Sequence, residues 1–408
     1  MKICLITLFT PTSENRKGPS ALIYFLIRNR RPDINISVFT FNINDILPEE
    51  IKNIENELNI IIHVLPQPLW YRFITSPHHK MTFLRILLKL PLCSYIRVTK
   101  KICKKIKAET PDLFWWYTSD IFRVPKPLRD YNHIVSGPDS LSLDPFRLLR
   151  VPSIYNSPIK FWGHCKLLYG ALKLERQYQT HKTLMHVVGL EDLHLLREIN
   201  PNVNAIFLLH PHYHLASHIS INFNKPKLRL LLAGKRYRVN EQDTLEFVKV
   251  LCKHSDKLSS KYSITFLGKG WDKEVKTLMK AGYDCVALHW VDNYIETISQ
   301  YDIQVTLISS GAGTKGKVLD AFANGLLVIG SDISLENIAV RHNDSCLRYR
   351  RVEDIAVMLS SIYCNPKRYE AIAYKGMNQV RIYHSPQRIS MRFFALIEKF
   401  HNENQHTT

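Results

Sequence analysis

Ser309–Gly330, SSGAGTKGKVLDAFANGLLVIG, reads as a loop, a helix and a strand in turn. Gly311 and Gly313 free the backbone to turn tightly and to approach a ligand without side-chain obstruction. Thr314 is placed to cap a helix that starts near Lys315. That helix carries Val318, Leu319 and Phe322 on one side, and Asn324-Gly325 stops it. Leu327–Ile329 is then a short buried strand. Helix N-terminal amides attract anions, and Lys315 and Lys317 add positive charge beside them. Asp320 lies one to two turns further on, where a carboxylate can accept hydrogen bonds from sugar hydroxyls. A phosphate site ending in such an acid points to a nucleotide. Any strand–loop–helix corner of a parallel sheet shares the glycines; the ordered set of Gly, Gly, Thr, Lys, Lys and Asp narrows the reading.

The segment GAGTKGKVLDAFANGLLVIGS resembles the donor-binding stretch of family 4 glycosyltransferases of the GT-B fold, in the branch that reads G-x-G-T-R/K-x-K-x-L-E-A-x-A-x-G-x-P-V-V. Asp320 stands where the family has Glu, Leu327 where it has Pro, and Ala312 where many members carry an earlier Glu. The resemblance implies an α/β chain of two Rossmann-like domains whose parallel sheets face a central cleft. It implies a donor site of Gly311, Ala312, Gly313, Thr314, Lys315, Lys317 and Asp320.

The length fits that expectation. The 408 residues are 45% hydrophobic, which suits two domains rather than one. Lys and Arg number 55 against 36 Asp and Glu, a net charge of +19 that favours anionic partners. The eight cysteines are scattered without a C-x-x-C, the usage of small hydrophobes rather than of a disulfide framework or a zinc site. MKICLITLF has no small-residue cleavage site and reads as a first strand, and no apolar run is long enough to span a bilayer. The expected location is cytoplasmic, peripheral on the inner face of the cell membrane.

Lys2–Leu8 opens a βαβ unit. Gly18-Pro19-Ser20 leads into a helix, and Ile34–Phe41 is its second strand. The GT-B resemblance makes Gly18 a cleft residue; a plain helix-entry turn fits the same residues. Further strands are expected at Ile60–Val64, Leu113–Tyr117, Ile134–Ser136, Met185–Val188 and Ala205–Leu209. A second series follows at Leu228–Ala233, Ser263–Leu267, Cys285–Leu288, Ile303–Leu307 and Leu327–Ile329. Helical patterns between them argue doubly wound parallel sheets. The expected division is 1–214 for the acceptor-side domain, 215–227 for a linker, 228–385 for the nucleotide-sugar domain, and 386–408 for a helix packing back toward the first domain.

Other segments carry the resemblance further. LLLAGKRYRVNEQDTLEF is similar to the family's first donor-domain strand and loop, which implies that Lys235 and Arg238, or Arg236 by a shift, contact the diphosphate. A solvated basic loop is the plainer alternative. ITFLGKGWDKEVKTL resembles a strand–turn–helix that is structural in the family. HWVDNYIETISQYDI resembles the stretch lying against the nucleotide base, which makes Trp290 and Val291 candidates to flank it; Trp290 as a core residue is the competing reading. HIVSGPDSLSL places Asp139 where the family carries an acid or His at the cleft. Glu175, Arg176 and Asp192 fall in segments expected to be structural.

Catalysis in such an enzyme rests on positioning and charge. Lys235, Arg238, Lys315, Lys317 and the loop amides would stabilise the leaving diphosphate, Asp320 would hold the ribose, and Asp139 would orient acceptor or donor sugar. No D-x-D occurs, so no cofactor and no metal are expected. The three histidines of His210–His214 lack a carboxylate or Cys partner and read as a hinge segment rather than a metal site. Residues 80–107 carry nine basic residues and no acid, with Leu92, Tyr95, Ile96, Ile102, Cys103 and Ile106 at helical spacing. They read as a basic amphipathic helix for an anionic membrane, or as a domain helix with a solvated lysine face.

These readings converge on a metal-independent, retaining hexosyltransferase. It would move a sugar from a nucleotide sugar to a glycan or lipid-linked acceptor in capsule or surface-polysaccharide biosynthesis, in company with other polysaccharide-assembly proteins. In its general run, rather than in any motif, the chain also resembles polysialic-acid capsule biosynthesis proteins. A degenerate, non-catalytic GT-B protein of a polysaccharide-assembly complex is the alternative. Nucleic acid is not an expected partner, since no recognition motif accompanies the charge.

Overall fold

The computed structural model describes residues 1–16, 18–75, 87–137 and 139–405. The chain forms two compact units, Met1–Pro211 with Pro386–Thr408, and His212–Ser385.

The first unit is built on seven strands: β1 Lys2–Thr7, β2 Asn35–Thr40, β3 Ile61–Val64, β4 Leu113–Tyr117, β5 Asn132–Ser136, β6 Thr183–Val187 and β7 Ala205–Phe207. They lie in the order β3-β2-β1-β4-β5-β6-β7. Every pairing is parallel, with Leu5 between Val38 and Trp115. A parallel sheet is covered on both faces, so its strands are continuously apolar: all five residues of β4, LFWWY, are buried. The helix Ala21–Arg28 is buried from Ala21 to Ile27. A helix apolar all round needs cover on two sides. One is the sheet. The other is the helix Pro386–Gln405, where Ser390 Oγ donates to Leu26 O at 2.8 Å and the Phe393 ring lies tilted, 5.0 Å from that of Trp115.

The second unit has six strands: β8 Leu228–Ala233, β9 Tyr262–Leu267, β10 Asp284–Leu288, β11 Ile303–Thr306, β12 Leu327–Gly330 and β13 Leu347–Arg348. Their order is β10-β9-β8-β11-β12-β13, again parallel throughout. The two-residue β13 has no apolar run to announce it and is absent from the strands expected from sequence.

In both sheets the strand order reverses once, between β1 and β4 in the first and between β8 and β11 in the second. Ligands of doubly wound sheets bind beyond the carboxyl ends of the strands at such a switch point.

Two expectations need correction. Residues 80–107 do not form one helix: among the described residues, Pro91 precedes a 3-10 turn at Leu92–Tyr95, and an α-helix follows at Lys100–Ala108. Ile96, Ile102, Cys103 and Ile106 of that stretch pack into the first unit's core, so this apolar face is already covered. Lys80 and Arg85 lie outside the described residues. The segment 215–227, expected as a linker, falls within the second unit: Phe223 is in that unit's core, and Ile219 and Ile221 pack against Gly325.

Candidate functional site

The loop after β11 sits at the second sheet's switch point. Gly311 and Gly313 have φ of +140° and +59°, the left-handed half of the map, so neither position accepts a side chain without strain. The helix that follows is Gly316–Ala323, and Lys315 is its N-cap residue without a side-chain cap bond. Thr314 is therefore not the cap. Lys315 turns back on the loop instead: its Nζ donates to Ala312 O and Gly313 O, both at 3.0 Å, and pairs with Glu336 at 3.2 Å. Asn337 Nδ2 holds Gly313 O from the same side at 3.2 Å. Lys315 thus fixes the loop's shape rather than standing free for a phosphate. Glu336 is the partner of Lys315 that sequence reading misses, being 21 residues away with no motif around it.

Lys317 runs the other way, toward β8. Its Nζ donates to Ala233 O at 2.8 Å, at the strand's carboxyl end. Burial, with the charge of Lys315 nearby, brings its pKa down to about 8. Gly234 follows with φ +129°, and a Cβ there would lie 2.8 Å from Lys317 Nζ. The glycine is what lets the ammonium reach the strand end.

Asp320, one turn further along the helix, is partly buried. Burial pushes its pKa up to about 7. Among the described residues its carboxylate has no hydrogen-bond partner. Facing it is Tyr294, whose phenol is raised by burial and by the Asp320 charge. The Tyr294 hydroxyl is buried and unpartnered. A buried phenol without a partner, within electrostatic reach of a carboxylate that no protein group binds, suits a ligand that both donates and accepts hydrogen bonds. Tyr294 lies inside the segment assigned to the base, but only its tertiary placement beside Asp320 reveals it.

The loop after β8 is the neighbouring wall. Asn240 organises it, accepting from Tyr237 N at 2.9 Å and donating to Lys235 O at 3.1 Å. Ser309 N donates to Val239 O at 2.9 Å, which ties this basic loop to the glycine loop. Lys235 is exposed, and its ammonium and the Arg238 guanidinium lie 5.9 and 5.2 Å from the ring of Tyr237. Arg236 is engaged elsewhere, with Glu241 at 2.8 Å and Glu274 at 3.2 Å, so the shifted assignment falls away. Gly268 is a packing glycine: a Cβ there would come within 2.5 Å of Lys235 N.

Trp290 is 80% exposed, which removes it from the core, while Val291 packs on the cluster that contains Val318 and Leu319. Asn324 does more than end the helix. Its Oδ1 accepts from Ala216 N at 2.7 Å and its Nδ2 donates to His214 O at 3.3 Å, which fastens the start of the unit to the site helix. His212 is buried, with its N–H on His384 O at 2.9 Å.

Gly18 and Asp139 belong to the first unit. Gly18 follows β1, and a Cβ there would lie 2.1 Å from the Phe9 ring, which would have to move for any larger residue. Asp139 is exposed just beyond β5. Its loop is held by Asp192 Oδ1, which accepts from Ser140 N at 2.7 Å, and by Glu175 Oε1, which accepts from Ser140 Oγ and Leu141 N at 2.7 Å each. The two acids expected to be structural therefore shape the loop that carries Asp139.

No family model matches the chain, and no curated protein sequence does. Solved structures do. HepE from Anabaena, solved with UDP, matches with a TM-score of 0.60 at 11% identity over 98% of this chain and 100% of its own. Sucrose-phosphate synthase from Thermosynechococcus elongatus matches at 0.64 and 13% identity over 98% of each chain. The lipopolysaccharide outer core galactosyltransferase WaaB matches at 0.58 and 12% identity over 98% and 100%. Likeness at this identity establishes the fold alone: the chain has the GT-B fold.

Proposed function

We propose that this chain is a glycosyltransferase that draws its sugar from a nucleotide donor held beyond the carboxyl ends of β8 and β11. The observation that carries the reading is one helix bearing Lys317, whose ammonium reaches the end of β8, and Asp320, whose charge acts on the buried, unpartnered phenol of Tyr294, just after a left-handed glycine loop at the switch point. A lysine suits a diphosphate, and an acid beside a phenol suits vicinal sugar hydroxyls. The fold agrees, and HepE was solved with UDP and with UDP-glucose.

As the bond between sugar and phosphate breaks, negative charge grows on the leaving diphosphate. Lys317, Lys235 and Arg238 supply positive charge there without needing a metal. Removing one such contact costs on the order of 10²–10³ in rate. Asp320 and Tyr294 hold the ribose, Trp290 and Val291 flank the base, and Asp139 orients an acceptor. The family 4 resemblance adds retention of configuration and a lipid-linked or polysaccharide acceptor in surface-polysaccharide synthesis.

The test is thermal stability against a panel of nucleoside diphosphates and nucleotide sugars. A ligand at about 100 times its Kd should stabilise the protein by about 2.7 kcal/mol. A base-selective shift that Asp320→Ala and Lys317→Ala abolish supports the reading; no shift with any nucleotide rejects it. The engagement of Lys315 by Glu336 favours one second reading, a non-catalytic assembly protein. Nucleotide binding without donor hydrolysis or transfer would select it.

A further inference from the structure

We propose that the first unit docks on an anionic lipid surface through the face formed by the helix Leu69–Thr75 and the first three turns of the helix Pro158–Arg176. None of the seven residues of Leu69–Thr75, LWYRFIT, is buried. Leu69 is 82% exposed, and Trp70 and Phe73 stand in solvent beside it. In Pro158–Arg176 burial is confined to Gly170, Ala171, Leu174 and Glu175. Its earlier turns hold out Ile159, 73% exposed, with Phe161 and Trp162. The two helices border one apolar hollow, lined among others by Tyr71, Leu90, Ile159, Trp162 and Leu167. Contiguous apolar surface of this kind marks an interaction site.

The charge around it selects the partner. Residues 58–108 and 145–174, the stretches of sequence in which the two helices lie, contain no Asp or Glu. Arg72, Lys89, Lys160 and Lys166 lie on the face. The Lys166 ammonium sits 4.7 Å over the Trp162 ring and that of Lys89 4.9 Å over the Tyr169 ring. Aromatic rings interleaved with Lys and Arg suit the boundary between headgroups and acyl chains, where stems lie along apolar surface and heads reach lipid phosphate. A second copy fits poorly, because a two-fold contact would set the same cations against themselves. Nucleic acid would leave Leu69 and Ile159 with nothing apolar to cover them. This face is separate from the helix Lys100–Ala108, whose apolar side is spent in the core.

The inference is independent of the donor site, which lies in the second unit and is read separately by nucleotide binding. The experiment is flotation of the full chain with phosphatidylcholine vesicles, with and without phosphatidylglycerol. Two variants act on the face: Ile159→Asp with Trp162→Ser, and Lys160→Glu with Lys166→Glu, the latter outside the core. A control, Lys276→Glu with Lys280→Glu, makes the same charge change on exposed positions of the second unit. Unfolding midpoints show that each variant folds. The wild type should float only with the anionic vesicles. Each face variant should bind more than about tenfold more weakly, with the control unchanged. The proposal is overturned if the wild type stays unbound, or if the control loses as much as the face variants, since binding would then follow diffuse charge. It is also overturned if flotation persists while the Ile159→Asp, Trp162→Ser change converts a dimer to a monomer.

Discussion

Lys317 and Asp320 sit three residues apart on one helix and are shifted in opposite directions. Burial lowers Lys317 from 10.5 to about 8 and raises Asp320 from 3.8 to about 7. Each shift disfavours the charged form. Asp320's share of stability is full in acid and is lost as pH rises through about 7; that of Lys317 is full in alkali and is lost as pH falls through about 8. A nucleoside diphosphate needs the reverse pair of states, a cationic lysine and an ionised acid. Its affinity should therefore rise with pH through about 7 and fall through about 8. Isothermal titration across that range checks this, and a flat profile would remove both residues from the site. Lys317→Arg should erase the alkaline limb, since a guanidinium does not titrate there. A second residue-scale change tests the geometry. Gly234→Ala puts a methyl 2.8 Å from Lys317 Nζ at φ +129°. It should cost about 1–3 kcal/mol in chemical denaturation and weaken nucleotide binding, because the lysine must give way.

Among the elements, the helix Ala21–Arg28 depends on the helix Pro386–Gln405 for its outer cover. Phe393→Ala empties a site between Trp115, His186 and Phe394. It should lower unfolding free energy by about 3–5 kcal/mol, read from urea denaturation; a loss below about 1 kcal/mol would show that the cover is dispensable. The same comparison shows what the sequence carries. Leu113–Tyr117 and Leu228–Ala233 were legible to the residue, since doubly covered parallel strands are plain apolar runs bounded by turns. The glycine loop was legible because φ above zero leaves only glycine comfortable. Residues 80–107 misled, because apolar spacing persists across Pro91 while the chain does not stay helical. The Lys315–Glu336 pair and the Tyr294–Asp320 approach arise only when distant segments fold together, so no local pattern announces them. Trp290 looked like core by residue type and is instead displayed.

At the scale of the molecule, the second unit is one continuous stretch, His212–Ser385, set between the two parts of the first. Its site residues all lie within that stretch. Expressed alone, residues 212–385 should fold and bind the nucleotide within about tenfold of the full chain's affinity, a margin of about 1.4 kcal/mol. Failure to bind would mean that the first unit contributes to the donor site. Residues 1–211 alone should bind vesicles if they fold, but lack the helix that covers Ala21–Arg28.

That division also dictates an order of events at the ribosome. Ala21–Ile27 emerges early, and its cover, Pro386–Gln405, is translated only after every residue of the second unit. The inserted unit can therefore finish first, while the amino-terminal one waits with the outer side of this apolar helix uncovered. A nascent chain in that state is a natural client for a holdase chaperone.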